Sequence, residues 1–537
     1  MKIFIIDPPQ QVFKYFMGHI PSPAVTQLAA YMEREGHEVE ILDVTTFENC
    51  WDDLERMIRE GRPNVVGISN NSTNTINNAF HTATLTKMID PKIVVVGGGA
   101  HMTALPEESL SVNGDIDFIV RGEGEATFAE LVSRLGEGRK DFSNIKGIAY
   151  LDNGNGGNFI QTPDRELVED INDLPMPAYR LLPMLKVKNP EDYVMAYRFP
   201  TLGMIPYESI MISTTRGCFG KCRFCSETAF WHHTWRSRNA KNMVDEMELL
   251  SKEYNRTNFY FVDNAFNWKR ERITEFIEEL ESRELKGITF WYQTRVELFL
   301  RDLDLIDRLK KLGLYQMSFG VETASQDITN KWGKNQRVGD VIKAMKAAKE
   351  RDLVLLTNVM WGHREDTAET LRATYEMIKG YSDIFALQIF TPVPGTPYYE
   401  EYLENDMIKE YNWDLWDMFT PVVETDTIPH DKMLRTVEKI QSRFHLRPKI
   451  LYKTWFSKNP FIRRNYQTTM EIVKRTLSNT LHEVQTNYRP FEEFMEEKGY
   501  SIEKTIKGTC IVKDRSKGEG NGSRREDRNG DVLHESA

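Results

Sequence analysis

At 537 residues the chain is longer than one hydrophobic core usually organises, so two folded domains with extensions are expected. Hydrophobic residues make up 40% and charged residues 28%, and no stretch approaches the roughly 18 apolar residues of a membrane span, which predicts a soluble chain without transmembrane helices. A formal net charge of −11 argues against nucleic acid as the main partner, because that binding draws its affinity from clustered cations. The N-terminal MKIFIIDPPQ is an apolar run that ends in Asp7 and two prolines. It is too short for a signal-peptide core and has no small-residue cleavage site, so it reads as the first strand of a cytoplasmic protein.

Residues 3–6, 39–42, 65–69, 93–96 and 118–120 read as five strands, mostly apolar throughout, as parallel strands buried on both faces must be. Between the first two, Val25, Leu28, Ala29 and Met32 fall at i, i+3, i+4 and i+7 of a helix stopped by Gly36, and Ile76, Phe80 and Ala83 mark a second crossover helix. This alternation predicts a doubly wound parallel sheet over residues 1–140, with its ligand beyond the carboxyl ends of the strands. Those ends carry DPP, then SNNS (Ser69, Asn70, Asn71, Ser72), GGGAH (Gly97, Gly98, Gly99, Ala100, His101) and RGEGE with Glu123 at its centre. Glycines there let a backbone approach a large ligand, and short polar side chains hydrogen-bond to it without filling the cleft.

Residues 141–205 read as a linker containing a hairpin with NGNGG at its turn. A second alternation follows over residues 206–400, with strands at 209–213, 258–262, 288–292, 314–320, 353–359 and 385–390 and helices such as 340–350 and 367–379. Six βα units in under 200 residues predict a partial (β/α)6 barrel. Residues 401–512 are aromatic-rich and read as a helical extension that could cover the barrel mouth. The segment 513–537 has almost no apolar residues and reads as disordered.

Of five cysteines, Cys50 and Cys510 stand alone, and an odd count in a long chain without export signals makes a disulfide framework a poor fit. Cys218, Cys222 and Cys225 fall in GCFGKCRFC, a Cys-x3-Cys-x2-Cys spacing directly after the first barrel strand. Three thiolates on one loop suit a 4Fe-4S cluster with one open iron. Zinc is the competing metal, with His232 or His233 as a fourth ligand.

This spacing, with Phe224 preceding the last cysteine, resembles the radical S-adenosylmethionine (SAM) superfamily. The resemblance implies that the open iron chelates the amino and carboxylate groups of SAM, and that one electron from the cluster cleaves the sulfonium to give a deoxyadenosyl radical. Carried over position by position, it implies SAM contacts from Phe224 in the cysteine loop, Asp263 and Asn264 in FVDNAF, Arg295 in YQTRVE and Glu322 in FGVETAS. TPVPGTPYY resembles the late Pro-Gly-Thr loop of the family.

A doubly wound domain ahead of such a barrel resembles the cobalamin-binding radical SAM class, which implies a Rossmann-like cobalamin domain with Ser69, Asn70, Asn71, Gly97, Gly98, Gly99 and Glu123 at the corrin. The Asp-x-His-x-x-Gly motif that supplies a histidine to cobalt is missing after the first strand, so cobalamin is expected without that ligand. The resemblance implies an anaerobic enzyme, a methyltransferase acting on unactivated carbon, with an oxidative cyclase of the magnesium-protoporphyrin ester type as the alternative. It further implies a small-molecule substrate and a reducing partner such as flavodoxin or ferredoxin, and the C-terminal aromatics would suit a large apolar substrate. A transfer-RNA methylthiotransferase would need a second cysteine triad in the N-terminal domain, where only Cys50 stands. A cobalamin sensor would need no triad at all.

Overall fold

The computed structural model describes residues 1–10, 21–47, 49–152, 157–186, 208–283, 285–464, 466–467 and 489–500. Its first sheet contains β1 (Lys2–Asp7), β2 (Glu38–Asp43), β3 (Val65–Ser69), β4 (Val94–Gly98), β5 (Phe118–Val120), β6 (Ile148–Asp152) and β7 (Asn158–Gln161), in the order β2-β1-β3-β4-β5-β6-β7. Strands β1 to β5 are parallel, and β1 is buried at nearly every position because helices cover both faces. The order reverses between β1 and β3, which opens a crevice at their carboxyl ends. Helix Pro23–Arg34 returns the chain from β1 to β2. Ser22 caps it by accepting from the Ala24 amide at 3.3 Å, and Gly36 turns the chain at a φ of 86°.

The β6–β7 hairpin, which the sequence reading put in the 141–205 linker, is instead annealed to the edge of this sheet. β6 pairs antiparallel with β5, and β7 with β6. The buried side chains of Ile148 and Ala149 explain the attachment, together with Arg121 at the end of β5, which donates to the Thr162 carbonyl at 2.6 Å. The first folded unit therefore runs past residue 140. Positions 153–156 of the NGNGG turn lie outside the described residues, as do Cys510 and the tail from residue 513.

The second sheet is built from β8 (Ser209–Ile212), β11 (Asn258–Phe261), β12 (Thr289–Thr294), β13 (Leu314–Glu322), β14 (Val354–Trp361) and β15 (Ile384–Ile389), while β9 (Thr215–Gly217) and β10 (Trp235–Ser237) form a separate short antiparallel ribbon after β8. Strands β8 and β11 to β15 are parallel and lie in sequence order, as an open half-barrel. Its wall is filled by Phe259, Phe261, Phe290, Trp291 and Phe319, all buried.

The C-terminal part does more than lie over the barrel. Residues 405–429 are largely non-helical, and Trp413 and Trp416 join the buried cluster that contains Phe4, Ile6 and Trp51 of the first domain. Trp413 donates to Glu108 at 3.2 Å, and Asn77 donates to Asp414 at 2.9 Å. Helix Phe491–Glu497 returns to the same domain, where Phe491 meets Trp51 with ring centroids 4.8 Å apart and the Trp51 indole donates to the Arg489 carbonyl at 2.8 Å. No described helix is long and apolar enough to cross a membrane.

Candidate active site

The β9–β10 ribbon closes residues 218–234 into a loop at the carboxyl end of β8. Gly217 enters it at a φ of 86°, and a Cβ there would overlap the Thr234 carbonyl oxygen, so glycine is required for the loop to close. Cys218 and Cys222 are buried and Cys225 is partly so. Gly220 lies between the first two. A Cβ on it would sit 3.2 Å from Cys218 Sγ and 3.8 Å from Cys222 Sγ, and its amide donates to Cys218 Sγ at 3.3 Å. The loop is tied to the barrel by the Arg223 amide, which donates to the Trp332 carbonyl at 2.9 Å, and by the Phe224 ring edge-on to Trp332.

Burial pushes the Cys222 thiol up, against the Lys334 and Arg295 charges that face it, and burial pushes Cys225 up to about 12. Such thiols ionise only beside strong positive charge, which cluster iron supplies. The donor set and the space left by Gly220 therefore fit a three-cysteine cluster. Zinc fits less well. His233 turns its Nδ1 to the Gly220 carbonyl at 3.0 Å, so that ring nitrogen is engaged by the loop backbone.

The residues assigned to SAM divide. Arg295 faces the thiols, pairs with Glu297 and donates to the Lys334 carbonyl at 2.5 Å. Glu322 sits at the irregular end of β13 with a φ of 61°, and its carboxylate pairs with Lys334 at 2.5 Å. Strained backbone of this kind persists where the surroundings enforce it, commonly at sites. Asn264 donates to Glu227 at 3.0 Å and lines the large cavity described below. Asp263 does not present a free carboxylate. It accepts from the Thr214 and Thr215 amides at 2.8 Å and from the Thr214 hydroxyl, fully buried beside Arg272, so it pins the end of β8 instead of facing a ligand.

A cavity of about 580 Å³ opens between the two sheets. The first domain lines it with Asp7, Ser69, Asn71, Gly97, Gly98, Gly99 and Glu123, and the barrel with Arg216, Gly217, Glu227, Trp231 and Asn264. Gly99 has a φ of 108°, and a Cβ on it would overlap the Asn70 carbonyl. Asn70 itself does not line the cavity. Its side chain turns inward to the Ser72 carbonyl at 3.0 Å and the Thr75 hydroxyl at 2.9 Å, because it must close the turn after β3. No histidine is among the described lining residues, and His101 points away, edge-on to the Trp413 ring. A glycine rim at the crevice of a doubly wound sheet, polar at its lip, fits a corrin.

Charges join the domains across this cavity. Arg216 bridges Glu123 at 2.6 Å and Glu125 at 2.5 Å, and Arg236 reaches Glu123 at 2.9 Å, with all four side chains largely buried. Glu123 also accepts from the Val168 amide at 2.6 Å. Arg216, Glu227 and Lys334 escaped the sequence reading. Arg216 stands two positions before Cys218, which was a usable signal, whereas Lys334 meets Cys222 only through the fold.

Residues 12–132 match the B12 binding domain family and residues 212–378 match the radical SAM superfamily. An uncharacterized methyltransferase of Pyrococcus horikoshii is 30% identical over 464 residues, covering 86% of this chain and 96% of its own. The anaerobic magnesium-protoporphyrin IX monomethyl ester cyclase of Rubrivivax gelatinosus is 29% identical over 80% of this chain and 74% of its own. Among solved structures, the radical SAM methyltransferase TsrM of Kitasatospora setae, with cobalamin and a [4Fe-4S] cluster bound, superposes with a TM-score of 0.66 at 18% identity, over 89% of this chain and 99% of that one. Fold and site thus define a radical SAM enzyme with an N-terminal B12 domain. The chain belongs to the cobalamin-binding radical SAM family shared with the Pyrococcus protein.

Proposed function

We propose that this enzyme transfers a methyl group to an unactivated carbon of a small molecule, using cobalamin, SAM and a 4Fe-4S cluster. The observation that carries the reading is a shared cavity whose walls are the glycine rim of the B12 domain and the barrel mouth beside the cysteine loop. When bound, the cofactors supply a SAM-derived radical and a methyl group on cobalt, a combination suited to carbon that lacks a lone pair. The chain's residues provide binding and orientation. Cys218, Cys222 and Cys225 hold the cluster, and Arg295 and Lys334 offset thiolate charge. Glu322, Asn264 and Phe224 flank the SAM side, and Gly97, Gly98 and Gly99 admit the corrin. Electrons come from a flavodoxin or ferredoxin, and the enzyme works in the cytoplasm.

Anaerobic turnover with methyl-labelled SAM, assayed by mass spectrometry, tests the reading. Label retained on product carbon is the expected result. A product oxidised or cyclised without label would replace it with the cyclase reaction, which the 29% identity to the Rubrivivax enzyme favours as the second reading. Replacing all three loop cysteines with Ala is expected to abolish deoxyadenosine formation.

A further inference from the structure

Helices His430–His445 and Pro448–Phe456 each pack on the half-barrel through one face. Met433, Val437, Phe444 and Ile450 are buried, and Phe444 meets Phe385 with ring centroids 5.0 Å apart. Lys453 donates to Asp383, the residue before β15, at 2.8 Å. Beyond them Phe461 stacks on Tyr315 near the start of β13 at 4.1 Å, and Asn459 donates to the Asp352 carbonyl, ahead of β14, at 2.8 Å. The second helix and the turn after it therefore lie where the barrel strands begin, at the end opposite the cysteine loop.

The outward face is apolar and aromatic. Leu446, Tyr452, Trp455 and Phe456 are 60%, 63%, 68% and 65% exposed, and the Tyr452 and Phe456 rings stack on each other at 4.9 Å. Large exposed apolar side chains concentrated on one stretch of surface mark an interaction site. Its charge identifies the partner. Residues 430–464 contain ten Lys and Arg against two carboxylates, a surplus of eight positive charges in a chain of net charge −11. Lys449 falls on the same helical face as Tyr452 and Phe456, at i, i+3 and i+7. Lys449, Lys458 and Arg463 are exposed and form no ion pair among the described residues. Exposed Trp, Phe and Leu on a strongly basic helical surface is the composition that lies in the headgroup layer of an anionic bilayer.

We propose that this end of the barrel docks on an anionic phospholipid surface, with Trp455 and Phe456 entering the headgroup layer and Lys449, Lys458 and Arg463 facing lipid phosphates. Docking there leaves the cavity between the domains unobstructed.

The test is sedimentation of the full-length holoenzyme with vesicles of equal parts phosphatidylcholine and phosphatidylserine, against vesicles of phosphatidylcholine alone. The protein is expected to sediment with the anionic vesicles, far less with the neutral ones, and to be released by high salt. Each cation removed near such a surface weakens binding about fivefold. K449E/K458E is therefore expected to lower partitioning by at least about 25-fold, and W455A/F456A by about tenfold. Both variants should cleave SAM at the wild-type rate. Failure to sediment with anionic vesicles at physiological salt would overturn the proposal, as would binding that both variants leave unchanged. A dimer seen by sedimentation velocity that both variants dissociate, without vesicle binding, would assign the face to a second copy of the chain instead.

Discussion

The loop after β4 shows how much single residues determine here. Gly99 combines a φ of 108° with a backbone approach to Asn70 that leaves no room for a Cβ. Gly99→Ala is expected to cost roughly 1–3 kcal/mol in thermal or urea unfolding and to weaken cobalamin retention, because the loop must shift at the cavity rim. Two positions on, burial holds the His101 imidazole down to about 3. An unfolded histidine titrates near 6.5, so acidification protonates the unfolded chain first, and stability falls as the pH drops below about 6.5 toward the folded value. His363, which burial holds down to about 4 inside a ring of Trp332, Phe390, Tyr398 and Tyr402, acts in the same direction. Each tenfold difference in proton affinity corresponds to about 1.4 kcal/mol. His101→Gln should therefore flatten the loss of stability between about pH 6.5 and 4, read from urea midpoints measured across that range.

Among elements, the helix Phe491–Glu497 has a role out of proportion to its seven residues. Phe491, Phe494 and Met495 are buried, Arg489 pairs with Asp52 at 3.0 Å, and the helix covers Trp51 and His81 of the first domain. F491A is expected to destabilise the chain by about 3–5 kcal/mol, the usual cost of emptying a buried phenylalanine site, with the first domain becoming more protease-sensitive. The sequence did not announce this contact, since a short acidic helix of such composition carries no sign of which surface it covers. The parallel strands were legible for the opposite reason. Burial on both faces leaves β1, β3 and β4 mostly apolar, a pattern that needs no knowledge of partners. The β6–β7 hairpin is half-exposed, so its attachment to the sheet edge was invisible until β5 was placed beside it. The cysteine loop was readable because its ligands lie within eight positions. By contrast, the inward turn of Asp263 toward Thr214 and Thr215 depends on a contact between β8 and β11 that no local pattern encodes.

For the whole molecule, the decisive question is what fixes the B12 domain against the barrel, since the cavity exists only while both walls face each other. Arg216 is the strongest candidate, reaching Glu123 and Glu125 across the boundary while largely buried. Burial alone would push the Glu125 carboxyl up. The Arg216 charge, with help from its own amide and Arg236, overcomes this and holds the group below the usual carboxylate range. In the wild type this contribution is present above about pH 4.3 and disappears as the pH falls through the folded value. Arg216→Met removes the main compensating charge and keeps the volume, leaving Glu125 buried with only the more distant Arg236. Breaking a buried pair from one side costs about 3–5 kcal/mol, and the Glu125 carboxyl must then rise above its unfolded value. The sign of the pH dependence inverts with it. The variant should lose stability as the pH rises from about 4.3 toward neutrality, where the wild type does not, and regain part of it on mild acidification. Urea midpoints at a series of pH values check the inversion, and small-angle scattering at neutral pH should show a larger radius for the variant as the two domains separate. A variant that is weaker by a constant amount at every pH, with unchanged scattering, would mean that apolar packing of the C-terminal segment alone sets the domain geometry.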